Sequence, residues 1–555
     1  MELAENYFET IEKVCSKTFG PNGMAVLVQG STGTMSVTQR GWTIVQSIYD
    51  ESNLKSLPIK VFFNSMKEIN KIYGDGVKSF ALVEIAFLKR LMHLKVENSM
   101  SVVTISQELQ SLLRAFCEMN ILSPISVSLS KPEDRVRATS ALFYTSCPSA
   151  VSSSLQTIFH DWVSSCLCIN SCKNSDENFI SYLQFLTGNF DLLCYRNNSN
   201  SKCVSDSYIL PGYLVDRVAL NLNSKKEEQL QVELYIPEEE VDVLDILFRI
   251  KLIIKEKSSS NNLRTLLLTT AVLTEVVLFE LIQHNFVVLH GVPVEAAKFV
   301  SLILHQNIDI LNNVVNVKSY ITGTKECTCL LLPNIFQLII CAPTDSLISE
   351  YACICKNALK HLLVIAKSSH GAGLVQAGGI FEKSLHFYIA KQINKVRDPS
   401  LFLVSNRKEL LEWHRQNQLM KTALAGQDSD GRARNQSVKG ELNNSGQGVS
   451  EENGISNVQN TELTSLHLES KSQDPKQLRN IEKHWMNNLE INGLLLQNVN
   501  ENILAAFAQS LLRICNSIML TTPLMEVYEP VSFKMQLLHH VIITAILFFK
   551  CDIAK

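Results

Sequence analysis

Tyr73-Gly74-Asp75-Gly76-Val77-Lys78-Ser79-Phe80 is the stretch on which the reading of this chain turns. Two glycines around an aspartate break one helical pattern and open another, with apolar residues at helical spacing on both sides from Leu57 to Arg90. A helix N-terminus preceded by glycine offers free N–H groups and a positive dipole, and glycine lets the backbone approach a phosphate closely. Asp75 between the glycines is placed to hold a magnesium ion against phosphate oxygens. The same triplet is also common turn chemistry, so by itself it identifies nothing.

Further glycine turns appear on either side. Phe8, Ile11, Val14 and Cys15 recur at helical spacing until Gly20-Pro21-Asn22-Gly23 stops that helix. Residues 24–29 and 34–38 flank Gly30-Ser31-Thr32-Gly33 and predict a hairpin. Far downstream, Ala377-Gly378-Gly379-Ile380-Phe381-Glu382 sets another glycine turn before a helix. Residues 205–330 differ in character: short apolar strands such as Phe286-Val287-Val288-Leu289 alternate with helices such as 294–304, the pattern of a separate α/β domain. Residues 533–549 return to a long apolar helix. Both ends are therefore expected to be helical, with an α/β unit inserted between them.

Composition narrows the class. A chain of 555 residues has room for about three or four domains. With 46% hydrophobic and 19% charged residues it suits large buried cores rather than a disordered scaffold. A net charge of −3 gives no electrostatic case for nucleic acid or an acidic membrane surface. Met1-Glu2-Leu3-Ala4-Glu5 is acidic, and no secretory signal is expected. The most apolar windows, 266–282 and 541–549, are short or carry Glu275 and Glu280, so core segments are expected there rather than membrane spans. The fifteen cysteines include Cys166-Leu167-Cys168 with Cys172, Cys327-Thr328-Cys329 and Cys353-Ile354-Cys355, but no Cys-x-x-Cys pair and no histidine pair at zinc-like spacing. Reduced thiols acting as small core hydrophobes are expected. Residues 425–477 are rich in Gly, Gln, Asn, Ser, Asp and Lys, and read as a disordered polar insertion between helices. Its acceptor triplets, Asn435-Gln436-Ser437 and Asn443-Asn444-Ser445, would go unused in a cytosolic chain. No internal repeat is evident, nor a Walker-type Gly-Lys-Ser/Thr loop, a Gly-x-Ser-x-Gly elbow or a His-Glu-x-x-His helix.

Taken in order, the pieces resemble the group II chaperonins of the cytosolic ring-complex type over nearly the whole chain. Gly20-Pro21-Asn22-Gly23-Met24 looks like their first phosphate loop, and Gly74 to Ser79 like their Gly-Asp-Gly-Thr-Thr-Ser motif. Ser205-Asp206-Ser207 with Leu210-Pro211-Gly212 resembles the start of their apical domain, and Gln283-His284-Asn285-Phe286-Val287-Val288-Leu289 an apical strand. Ala377-Gly378-Gly379 with Glu382 resembles their glycine-rich turn, Ala505-Ala506-Phe507-Ala508 a later equatorial helix, and Glu529-Pro530 with Lys534 and Gln536 their closing motif. The resemblance implies an α+β multidomain fold: the group II chaperonin subunit, with a mostly helical equatorial domain, a small intermediate domain and an inserted α/β apical domain. The implied spans are equatorial 1–120, intermediate 121–200, apical 201–330, intermediate again 331–372, equatorial 373–424, the polar insertion 425–478, and equatorial 479–555.

It also implies a nucleotide site, with ATP and Mg2+ as cofactors, built from Gly20, Pro21, Gly23, Gly41, Gly74, Asp75, Gly76, Lys78, Ser79, Gly378 and Gly379, Asp75 being the magnesium ligand. Departures from the family pattern carry the functional expectation. Thr38-Gln39-Arg40-Gly41 has arginine where the family ends its hairpin in Asn-Asp-Gly. Lys356-Asn357-Ala358-Leu359 has an amide where the family positions the attacking water with aspartate, and an amide cannot serve as general base. Val77 and Lys78 replace hydroxyls that face phosphate, and only a short stretch separates Ile514-Cys515-Asn516-Ser517 from Glu529-Pro530, where the family carries one wall of the nucleotide pocket. The chain is accordingly expected to be no enzyme and to leave ATP unhydrolysed, while Arg40 and Lys78 offer charge that would neutralise a bound phosphate without metal.

Similar degeneracy marks the Bardet–Biedl syndrome chaperonin-like branch of this family. Membership would imply a cytoplasmic factor near the centrosome or ciliary basal body. It would work with sibling chaperonin-like proteins and cytosolic chaperonin subunits on subunits of the ciliary coat complex, the BBSome, as clients, without nucleic acid or membrane insertion. Val294, Phe299 and Leu302 are candidates for an apolar client surface, and core burial is the alternative for them. An ATP-driven foldase and a stand-alone binding scaffold are the rival readings.

Overall fold

The structure, a computed structural model, describes residues 2–20, 23–29, 35–52, 56–122, 125–126, 128–129, 131–147, 149–168, 176–198, 203–223, 226–237, 243–257, 263–306, 314–322, 325–332, 334–367, 373–396, 490–492, 499–517 and 528–553. Pro21, the polar insertion 425–478 and the shortened stretch 518–527 lie outside the described residues.

Helices from both ends of the chain share one core. From the N-terminal side come α1 (Glu2–Lys17), α2 (Gly41–Glu51), α3 (Leu57–Tyr73), α4 (Val77–Glu97) and α5 (Val102–Glu118); from the C-terminal side come α14 (Ile380–Val396), α15 (Glu501–Ser517) and α16 (Val531–Ile553). Helix α1 buries Phe8, Ile11 and Cys15, the stripe its spacing predicts. Helix α4 is buried on nearly every side, from Val77 and Lys78 to Leu91, because α1, α3, α15 and α16 surround it. Helix α16 is long and apolar enough to cross a membrane by composition, but it packs against α3, α4 and α5, so its apolarity is spent on this core.

The second core belongs to the middle of the chain. Helices α6 (Pro132–Ser146), α7 (Ser149–Cys168), α8 (Asp176–Gly188), α9 (Phe190–Leu193) and α13 (Asp345–Lys367) enclose it together with one face of a six-stranded sheet. That sheet runs β10 (Val287–Leu289), β9 (Thr265–Thr269), β8 (Glu228–Tyr235), β11 (Val314–Thr322), β12 (Lys325–Leu331), β7 (Tyr213–Val215). Strands β8, β9 and β10 are parallel, and the other pairs are antiparallel. Every residue of β9 is buried, and alternation divides them: Leu266 and Leu268 face α12 (Val294–Gln306), while Leu267 faces α10 (Val243–Lys257) and α11 (Glu275–Gln283). The expected α/β unit is therefore a helix–sheet–helix sandwich.

Smaller sheets tie distant segments together. β1 (Val26–Gln29) and β2 (Met35–Thr38) form the expected antiparallel hairpin. β3 (Asn120–Leu122) pairs with β15 (Glu490–Asn492), and β13 (Phe336–Ala342) lies between β5 (Cys194–Asn198) and β6 (Tyr208–Pro211). β14 (Gly373–Gln376) lies between β4 (Ile125–Ser126) and β16 (Tyr528–Pro530), joining the two ends of the chain to its middle. Helix α13 reaches from the second core to α3, α16 and β2 of the first. That contact builds the site.

Candidate functional site

The glycine turns converge where α1 ends, α4 begins and the hairpin closes. Gly74 caps α3 in the left-handed region at φ +74°, and Gly76 opens α4 at φ +85° with no side-chain cap. Two small cavities border this junction. Gln39, Arg40, Gly41, Trp42, Gly74, Asp75, Lys78 and Asn357 are among the residues lining one, and Gly20, Asp75, Gly76, Lys78, Ser79, His361 and Glu529 are among those lining the other. Gly20, Gly41, Gly74, Asp75, Gly76, Lys78 and Ser79 thus come together, with Arg40 and Asn357 beside them. Gly23 is joined to the group because the Gln39 Nε2 donates to its carbonyl at 3.0 Å. Gly378 and Gly379 line neither cavity; they turn the chain from β14 into α14 with φ of +93° and +79°.

Lys78 fills the junction instead of facing outward to a phosphate. Its Nζ donates to the Thr18 carbonyl at 2.7 Å and to the Gln39 carbonyl at 3.0 Å, and the residue is buried. The Thr18 carbonyl lies just beyond the C-terminus of α1, where the helix dipole favours a cation. Burial pushes the Lys78 pKa down, and Asp75 pulls it back up. The stem of Lys78 is equally confined: a Cβ on Gly41 would stand 2.7 Å from its Cγ. What remains is a cavity of about 10 Å3 on one side and about 50 Å3 on the other, enough for one water and for a few. Small-molecule sites are typically of roughly 300–1,000 Å3. The space left among the described residues is too small for ATP with magnesium.

Helix α13 supplies the opposite wall from one face. Its Glu350 accepts a 2.9 Å hydrogen bond from the Thr38 hydroxyl, and that hydroxyl accepts from the Arg40 N–H at 3.0 Å. Burial pushes the Glu350 pKa up; the Thr38 bond and the Arg40 charge oppose that shift. The arginine at the hairpin's end therefore has an acid of its own chain to face. Two turns on, the Asn357 Nδ2 donates to the Gly74 carbonyl at 2.8 Å. Position 357 does meet the second glycine loop, and it meets it with an amide. One turn further, His361 lies against Phe533 with ring centroids 5.2 Å apart, and its Nε2 has no hydrogen-bond partner among the described residues. Burial pushes the His361 pKa down, while Asp75 draws it up.

Behind the second cavity, Lys534 on α16 lies 2.8 Å from both Glu382 on α14 and Glu529 on β16; Lys534 and Glu382 are buried and Glu529 is partly buried. Burial disfavours the Lys534 charge, but the two carboxylates outweigh it and hold its pKa up. Burial pushes the Glu529 pKa up. The closing motif is thus a buried ionic clasp, and Tyr73 adds a hydrogen bond to Gln536. Sequence reasoning found Lys534 and Glu529 but missed Glu350 and His361. Their spacing from Asn357, seven residues before and four after, puts all three on one face of α13 and could have found them.

The apolar surface differs from expectation. Phe299 is only 3% exposed and packs against Phe185 and Tyr213, so it belongs to the second core and offers nothing to a client. Val294 at 42% and Leu302 at 40% are less exposed than Val272 at 81%, Val276 at 78% and Phe279 at 63%, which cluster on or just before α11. Helix α11 buries Val277 and Leu281 and turns Val276 and Phe279 outward.

Neither a scan of protein-family models nor a search of curated proteins returns a match. Among solved structures, the chain is similar to a group III chaperonin in the open state, with 12% identity and a TM-score of 0.57, over 98% of this chain and 97% of that one. The fold is that of a chaperonin subunit. It is shared along essentially the whole chain.

Proposed function

We propose that the chain is a chaperonin-like assembly subunit that does not hydrolyse ATP. One observation carries the reading: the junction that matches the expected nucleotide site is closed by the Lys78 ammonium, with the Asn357 amide against Gly74. An amide at position 357 cannot take the general-base part that the family resemblance gives to an aspartate there. The retained Gly74-Asp75-Gly76, with Ile339-Ile340-Cys341-Ala342-Pro343 and Val375-Gln376-Ala377-Gly378-Gly379, resembles most nearly the tenth Bardet–Biedl syndrome protein. On that reading the chain acts in the cytoplasm near the basal body. It assists folding and assembly of BBSome subunits together with sibling chaperonin-like proteins and the cytosolic chaperonin. The exposed Val272, Val276 and Phe279 support capture of incompletely folded clients.

The test has two arms. Purified chain is titrated with ATP, with and without magnesium, and assayed for turnover beside Asp75→Ala. Tagged chain is recovered from ciliated cells and examined for chaperonin and BBSome subunits. No turnover together with recovery of those subunits is the expected result. Turnover lost in Asp75→Ala would restore an ATP-driven foldase, and recovery without any chaperonin subunit would favour a stand-alone scaffold.

A further inference from the structure

We propose that the Lys78 ammonium is the permanent cation of the loop junction, doing from within the chain what a bound alkali cation or small primary ammonium would do between the Thr18 and Gln39 carbonyls. Three separate segments meet at this one nitrogen: the end of α1 through Thr18, the hairpin through Gln39, and the start of α4 through Lys78 itself. The Gln39 side chain closes the same junction from outside by binding the Gly23 carbonyl. The acceptors are two uncharged carbonyl oxygens. Backbone carbonyls can replace the hydration shell of a potassium ion. A hard divalent ion wants about six oxygen ligands or several waters, and no cluster of three metal-ligating side chains exists among the described residues. The cavity of about 10 Å3 on the Arg40 side of Lys78 has room for one water and not for a hydrated second ion. On this reading the loops need neither nucleotide, metal nor salt to hold together. This inference concerns the junction alone and does not depend on the assembly role.

The experiment uses the full chain, wild type beside Lys78→Ala and Lys78→Met, with thermal unfolding followed in potassium, methylammonium and tetramethylammonium chloride at equal ionic strength. Trp42 lines the first cavity and gives a local fluorescence signal. The wild type is expected to melt at one temperature in all three salts. Lys78→Ala is expected to melt lower and to recover, saturably, with potassium or methylammonium but not with the bulkier tetramethylammonium. Lys78→Met keeps the stem without the charge, and is expected to melt lower and not to recover. Should Lys78→Ala not accumulate in folded form, its refolding yield from urea in the same salts gives the same comparison. A Lys78→Ala response identical in all three salts, or a selective response of the wild type, overturns the proposal. ATP turnover would sink the assembly reading without altering this comparison.

Discussion

Replacing Glu84 with methionine should stabilise the protein, by an amount that grows with pH. Glu84 lies in the most enclosed stretch of α4, fully buried, and neither carboxylate oxygen has a hydrogen-bond partner among the described residues. Burial holds its pKa well above the ordinary carboxylate value, so the folded chain keeps the proton to a higher pH than the unfolded chain does. The unfolded chain releases that proton near its ordinary pKa of about 4.3. From there upward, folding must recover the proton, and stability falls by about 1.4 kcal/mol per pH unit until the folded pKa is reached. Below that range the neutral carboxyl still lacks a partner, which costs roughly 1–3 kcal/mol. Methionine has a similar length and no group to desolvate. Urea denaturation of both proteins between about pH 5 and 8, followed by helical circular dichroism, measures the difference. The chain is multidomain, so the transition of the helical core must be read by itself. Parallel profiles for the two proteins, or a methionine variant that is less stable throughout, would falsify the account of Glu84.

Other perturbations separate packing from function. Lys534→Met strands Glu382 and Glu529 without their buried cation and should cost about 3–5 kcal/mol, seen as a lowered melting temperature; an unchanged one would mean that the clasp is not formed in solution. Gly74→Ala places a Cβ 2.2 Å from the Asn357 Oδ1 at a φ of +74°. Because that Cβ would also stand 2.7 Å from the Asn357 Cβ, the double variant with Asn357→Gly should relieve the collision while keeping roughly 1–3 kcal/mol of backbone strain, and a cycle with no coupling would count against the contact. Phe299→Ala should lose about 3–5 kcal/mol through its cavity, whereas Phe279→Ser should stay within about 0.5 kcal/mol. Only Phe279→Ser should weaken capture of a chemically denatured test protein per folded molecule. Equal capture by that variant and the wild type would remove α11 as a client surface.

The backbone of the site was legible in the sequence, and its side-chain chemistry much less so. Glycine punctuation gave the end of α1, the hairpin, the break between α3 and α4 and the turn before α14, because each depends on local conformational preference. Position 357 was likewise found from the residues around it. Lys78 was named too, but its inward direction was not legible: α4 is buried almost all round, so helical periodicity cannot say which polar residue points into the protein. The apolar window 266–282 was read as core throughout. β9, Ala271, Leu273 and the inner face of α11 are, but Val272, Val276 and Phe279 are not, since period alone does not tell the buried face of a short apolar helix from its exposed one. Phe299 fails for the opposite reason. Its stacking on Phe185 and Tyr213 joins segments far apart in sequence, which no local pattern reports.

The survival of the glycine set is weak testimony for a nucleotide, and the structure gives the physical reason. A glycine kept for ligand approach should face open space where the ligand would lie. At Gly41 that space holds the stem of Lys78, and at Gly74 it holds the amide of Asn357. Side chains of this same chain now occupy the volume that the missing Cβ atoms leave, so packing alone penalises any larger residue at either position. Lys78 and Asn357 would therefore preserve these two glycines whether or not a nucleotide binds. Lys78 needs Gly41 to lie beside it, and Asn357 needs Gly74 to reach the loop carbonyl. Position 40 fits the same logic from the electrostatic side. A positive charge introduced beside an empty phosphate site would lack compensation, yet Glu350 on α13 stands near enough for Arg40 to favour its ionised form. Loop, helix and hairpin are cross-linked by an ammonium, an amide and a hydroxyl bound to carboxylate, each supplied by the chain itself. The docking of α13 on the helical core therefore rests on contacts that the chain makes with itself.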